Sequence, residues 1–233
     1  MTPTSTTLLC FLSISAALLA QPCAPAPKNR SAHFSFDEPL FAKALRVPGV
    51  VGNGLRFDGK STYFELPATG FNPGEENFSA EVWVRTTTQG SPRNIVDKRS
   101  KLPIGWLLYV RRGNPGFQVV YGVEITDAVA VNHRIDDGKW HHLVGVARRL
   151  PQQSPEIYVD GKLAAKSGRN TTLANLSTPD PVWLARHHAN GYVPRDNIYF
   201  EGDIDELAFY RRALEPAEIA SLYKSGRAGK CRQ

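Results

Sequence analysis

Three acids stand at alternate positions late in this chain, in Glu201-Gly-Asp203-Ile-Asp205. Strand side chains alternate between faces with period two, so a strand here places all three carboxylates on one side. Two carboxyl groups flanking a scissile bond are what retaining glycoside hydrolysis requires. Two features count against that chemistry. The same face is expected to run on into Leu207 and Phe209, which belong in a core, and few residues follow to build a cleft wall. No catalytic residue is assigned to this strand.

Asp205 reads better as structural. A carboxylate on a core-directed face needs a partner, because an unpaired buried charge is costly. The run His33–Asp37 reads as the first strand, and chain ends of a domain often lie close together. Asp37 or Glu38 could then join Asp205 around a calcium ion, with backbone carbonyls completing an oxygen shell. The alternative is a set of carboxylates satisfied by backbone N–H groups and a nearby arginine. The pairs His141-His142 and His187-His188 do not read as zinc ligands. Neighbouring strand residues face opposite ways, and no cysteine or acid sits at ligand spacing beside them.

In the segment Phe78–Arg85 the core face is Phe78, Ala80, Val82 and Val84, which turns Trp83 outward with Glu81 and Arg85. An outward indole can stack on the apolar face of a sugar ring. The alternative is an indole packed beneath a loop. Trp83 and Arg85, with the loop residues Arg93, His187, Tyr192 and Arg195, form the expected ligand surface.

These groups sit on short apolar-alternating runs separated by Asp58-Gly59, Asp137-Gly138, Asp160-Gly161 and similar turn signals. The pattern predicts an all-β fold, a two-sheet antiparallel sandwich (jelly roll), closed by one short C-terminal helix. That helix is sharply punctuated. Pro216 opens it, Leu214 and Ile219 form a staple, Glu218 stands at its third position and Gly226 stops it.

The chain has 233 residues, 42% hydrophobic, with a net charge of +6. That fits one domain with a sizeable core. Its basic residues are scattered in pairs without interleaved aromatics, which argues against a nucleic-acid groove. Residues 1–20 hold no Asp, Glu, Lys or Arg, and Leu8–Ala20 is apolar but too short to span a bilayer. It reads as a signal peptide, giving a secreted chain (extracellular or periplasmic) with no stable membrane span. Residues 21–32 then read as a linker, 33–226 as the domain and 227–233 as a tail. Loss of Cys10 with the signal leaves Cys23 and Cys231, an even count that predicts one disulfide between the chain ends.

Six segments in order carry a resemblance: GNGLRFDGKSTYFELP (52–67), NFSAEVWVR (77–85), DDGKWHHLVGVAR (136–148), IYVDGKL (157–163), VWLAR (182–186) and GDIDELAFYRRALEPAEIASLY (202–223). Together they resemble the laminin-G-like, concanavalin A-like lectin/glucanase family of jelly rolls. The resemblance implies the sandwich and adds weight to the calcium expectation at Asp37, Glu38 and Asp205. It implies a non-catalytic binding module, with extracellular carbohydrate as the partner. A cell-surface or matrix protein is the alternative partner. Related glycosidases carry Glu-x-Asp-x-Glu on a strand, and Asp205 departs from that pattern by one methylene.

Overall fold

The computed structural model describes residues 23–38, 41, 44–100, 102–151, 153–171, 173–187 and 199–230. The expected signal segment, Tyr192, Arg195 and Cys231 lie outside them. The described residues form β1 (Arg30–Phe34), β2 (Arg46–Pro48), β3 (Asn53–Asp58), β4 (Phe64–Leu66), β5 (Phe78–Arg85), β6 (Arg93–Asp97), β7 (Ile104–Arg111) and β8 (Asn114–Tyr121). There follow β9 (Glu124–Val129), β10 (Trp140–Ala147), β11 (Glu156–Val159), β12 (Lys162–Lys166), β13 (Val182–Leu184), β14 (Glu201–Tyr210) and one helix, α1 (Pro216–Ser225).

Two antiparallel sheets make a sandwich. One runs β12-β11-β10-β5-β14-β3-β2, with β1 also paired to β14; the other runs β4-β13-β6-β7-β8-β9. Their inner faces meet on an aromatic core in which the Phe209 ring stands 5.4 Å from Trp106 and 5.6 Å from Phe78. Phe78, Ala80, Val82 and Val84 all enter that core, as their alternation predicts. Each large side chain so buried contributes about 1.5–3 kcal/mol.

β14 departs from simple alternation. Asp205 lies opposite Trp83 of β5 and Ala208 lies opposite Glu81, so two residues face one across a β-bulge. Glu206 takes φ 53° there. The extra residue inverts the phase of the strand. Ile204, Leu207 and Phe209 enter the core, whereas Asp203 and Asp205 point to the outer face. The expected continuity of the acids with Leu207 and Phe209 is therefore wrong. The bulge also lets one strand serve two neighbours, with residues 201–204 pairing β3 and 207–210 pairing β1.

α1 covers part of the outer face of the larger sheet. Its Ile219 and Leu222 pack on Val144, Val146, Tyr158 and Tyr210. The N-terminus is closed by a capping box in which the Glu215 N–H donates to Glu218 Oε2 at 2.9 Å. The described residues of the expected linker and tail join the fold: β1 begins at Arg30, and buried Ala24 forms a parallel bridge with Lys230.

Candidate functional site

Because the strands of the larger sheet are in register, their outward residues form rows across it. Trp140 of β10 lies opposite Arg85 of β5, Arg85 opposite Asp203 of β14, and Asp203 opposite Arg56 of β3. In this first row Arg56 is exposed, Trp140 and Arg85 are half-buried, and Asp203 lies buried beneath the two arginines. Asp203 Oδ1 accepts from Arg56 Nε at 2.8 Å and Oδ2 from Arg85 Nε at 2.7 Å. The Arg85 guanidinium also lies 4.9 Å from the Trp140 ring centroid. Gly54 and Gly202 let this row lie close to the backbone. A Cβ on Gly54 would stand 3.2 Å from the Trp140 ring, and one on Gly202 2.4 Å from the Arg85 carbonyl oxygen.

Arg85 divides a groove into two lobes. One, of about 650 Å³, is lined by Arg56, Asp58, Thr86, Thr87, Glu201 and Asp203 among others. The second, of about 740 Å³, lies between the Pro48–Val50 turn and the end of α1, with Trp83, Trp140, Tyr223 and Lys224 in its wall.

The next row inward is His142, Trp83 and Asp205. Trp83 is 7% exposed, its ring 4.9 Å from His142 and 5.7 Å from Tyr223 of α1. The outward direction is as predicted, but the helix covers the indole, so it supports the groove wall instead of offering a free face. Asp205 Oδ2 accepts from the N–H groups of Val50 and Val51 at 2.8 and 3.0 Å, clamping the β2–β3 turn. Burial pushes its carboxyl up to about 7, against those hydrogen bonds.

The three expected calcium ligands are not gathered. Glu38 turns back to accept from the Ser35 N–H at 2.9 Å. Asp37 Oδ1 accepts from Asn53 Nδ2 at 2.8 Å. Among the described residues no three His, Cys, Asp or Glu side chains stand together as a metal set. Asp37 and Asp205 still both reach the 49–53 turn. Both Asp205 oxygens are taken up by backbone N–H groups, Oδ2 by Val50 and Val51 and Oδ1 by Glu206 at 2.9 Å.

Deeper still lies a charge cluster that sequence reasoning missed. Lys230 Nζ sits 3.2 Å from Glu81 Oε1 and 2.9 Å from Glu206 Oε2. Glu81 also accepts from Tyr210 Oη at 2.6 Å and meets His142 Nε2 at 3.1 Å; His33 Nε2 meets Glu206 at 2.9 Å. His141, on the other side of its strand, bonds Asp160 and Asp137 instead, so the two neighbouring rings face different partners.

The expected ligand surface is divided. Trp83 and Arg85 lie on the larger sheet, whereas Arg93 opens β6 of the smaller one. His187 Nδ1 lies 2.8 Å from Arg99 Nη2, beside Asp97 of β6. The groove residues Trp140 and Arg56 were missed, although the phase of Trp140 with His142 was a usable signal.

The sequence matches the protein family described as the concanavalin A-like lectin/glucanases superfamily, laminin G type, over residues 58–220. No curated protein matches in sequence. The solved binding domain of Paraclostridial Mosquitocidal Protein 1 superposes with TM-score 0.63 at 15% identity, covering 84% of this chain and 47% of that one. The chain thus spans about half that relative's length. Domain 4 of AbnA, a GH43 extracellular arabinanase from Geobacillus stearothermophilus solved with arabinotriose, gives TM-score 0.62 at 17% identity, covering 82% and 97%. A botulinum neurotoxin type C structure, described with cell entry dependent on two ganglioside molecules, gives 0.51 at 16% identity, covering 64% and 36%. At such identities the likeness is one of fold.

Proposed function

Since the chain belongs to the concanavalin A-like lectin/glucanase superfamily, we propose that it is a secreted, non-catalytic module that binds extracellular carbohydrate in the groove around Arg85. The observation that carries this reading is the row Trp140–Arg85–Asp203–Arg56, whose indole and two guanidinium groups reach the groove over a buried carboxylate. A half-buried indole supplies a face for a sugar ring, and the flanking guanidinium and threonine groups supply donors for hydroxyls. Two lobes of about 650 and 740 Å³ suit a short oligosaccharide laid across the sheet. The arabinotriose and ganglioside named with two of the similar folds agree with this ligand class.

Hydrolysis is poorly served by the same groups. Asp203 is committed to two arginines and Asp205 to backbone amides, so of the three acids only exposed Glu201 is open to the groove. Asp58, opposite Glu201 in the same lobe, accepts from the N–H groups of Lys60, Ser61 and Thr62 at 2.9 Å each, so it is held by its own turn and does not supply the second free carboxylate that the reaction needs.

A glycan microarray followed by calorimetry tests the proposal. Binding to an oligosaccharide should weaken by about 1–3 kcal/mol in Trp140→Ala, with the melting temperature nearly unchanged. A folded wild-type protein that binds no glycan would falsify it, as would release of reducing sugar lost in Glu201→Gln.

A further inference from the structure

On the outer face of the smaller sheet, three aromatic side chains surround one cation. Val182 and Leu184 of β13 enter the core, so Trp183 between them faces outward. Tyr63 before β4 and Tyr199 before β14 join it, with Tyr63 5.5 Å from Trp183 and 6.1 Å from Tyr199. The Arg186 guanidinium lies 4.5 Å from the Tyr63 ring centroid, 4.8 Å from Trp183 and 5.7 Å from Tyr199. The chain is bent to put it there. Ala185 sits in the left-handed region at φ 63°, held by its N–H to the Ile95 carbonyl at 2.8 Å and its carbonyl to the Phe200 N–H at 2.9 Å. Such a conformation is costly for a residue with a Cβ, and it persists only where surrounding bonds enforce it.

Stacking fixes a guanidinium without using its five N–H donors, which lie in its plane. Among the described residues, no hydrogen bond or ion pair engages those of Arg186, in contrast to Arg99 nearby, whose Nε bonds Asp97 at 2.9 Å. We propose that Arg186 on its aromatic bed is a second binding site, for the carboxylate of an acidic sugar. The planar fork matches a carboxylate bidentately, and the half-buried Tyr63 ring beside it can receive the apolar face of the same residue. Exposed Glu65 lies directly across from Trp183 on β4. It keeps the surround from being uniformly basic, which favours a single acid group over a densely sulfated chain.

The test uses trigalacturonic acid, its neutral counterpart galactotriose, and dextran sulfate, titrated into wild type, Arg186→Gln, Arg186→Lys and the groove variant Trp140→Ala. Trigalacturonic acid should bind wild type and Trp140→Ala alike, and weaken by about 10-fold to 100-fold in Arg186→Gln. Arg186→Lys, which keeps the charge without the fork, should recover only part of it. Near-UV circular dichroism confirms that each variant is folded. Because the groove is scored separately by Trp140→Ala, failure of one site does not count against the other. No binding of trigalacturonic acid overturns the proposal. So does equal binding by Arg186→Gln, loss of the uronate in Trp140→Ala, equal binding of galactotriose, or Arg186-dependent binding of dextran sulfate alone.

Discussion

Replacing Lys230 by Met should destabilise the protein strongly at neutral pH and much less in acid. The Lys230 side chain is 5% exposed, and the two carboxylates it joins, Glu81 and Glu206, are 1% and 4% exposed. Removing one member of a buried ion pair costs about 3–5 kcal/mol, because the remaining charge keeps its desolvation penalty. In K230M Glu81 still has Tyr210 and His142, and Glu206 still has His33, which places the variant near the lower end, about 3 kcal/mol. For a domain of this size that is a drop in Tm of about 6–12 °C. Burial opposes ionisation of Glu81, but Lys230, His142 and Tyr210 override it and hold the carboxyl at about 2, below its ordinary 4.5. A depressed carboxylate contributes stability that is fully present above 4.5 and is lost as pH falls through about 2. The gap between wild type and K230M should therefore be widest at pH 7 and narrow between pH 4.5 and 2. Urea melts followed by tryptophan fluorescence at pH 7 and pH 3 measure it, and adding Glu81→Gln to K230M should restore part of the loss. A gap under about 1 kcal/mol at pH 7, or one equally wide at pH 3, would show that the cluster does not hold the C-terminal segment to the sheet.

Three further outcomes are expected. Trp83→Ala should cost about 3–5 kcal/mol in unfolding, as befits an indole under α1, and a variant with wild-type stability and weakened glycan binding would return Trp83 to the ligand surface. If calcium binds at the Asp37–Asp205 turn, saturating it at a hundredfold over Kd should stabilise by about 2.7 kcal/mol, an effect absent in Asp205→Asn; a melt indifferent to calcium and chelator counts against that site. The Ala24–Lys230 bridge brings the chain ends together, so we propose a Cys23–Cys231 disulfide. Intact mass should then begin near Gln21 and gain two alkylation adducts only after reduction, whereas thiols reactive without reductant would rule the bond out.

How much of this was legible in the sequence varied with how local the cause was. α1 runs from Pro216 to Ser225 with Glu218 in its capping box and Gly226 at its end, as read from residues within one turn of each terminus. The core face of β5 was equally readable, because a regular strand carries its phase in its own alternation. The second half of β14 was not, since its bulge is specified by pairing with β5, more than a hundred residues earlier. Trp83 faces outward as alternation demands, but what covers it is Tyr223, supplied by a distant helix. Asp203 was recognised as an acid of interest without its two arginines, because Arg56 and Arg85 meet it only through sheet order.

The bulge at Glu206 also limits how this strand can vary. β14 consists of two segments of opposite phase joined at one residue, and each segment answers to a different neighbour. Deleting that residue would join Asp205 directly to Leu207 and leave a regular strand, acids outward and Leu207 and Phe209 inward, so the loss would be the Glu206 carboxylate that meets Lys230 and His33 and not the core. A further change of one residue, with no bulge left to absorb it, would reverse every side chain beyond it. The bulge is thus one residue of slack between the Asp203 row of the groove and the aromatic core around Phe209, which a single shortening can take up and a second cannot.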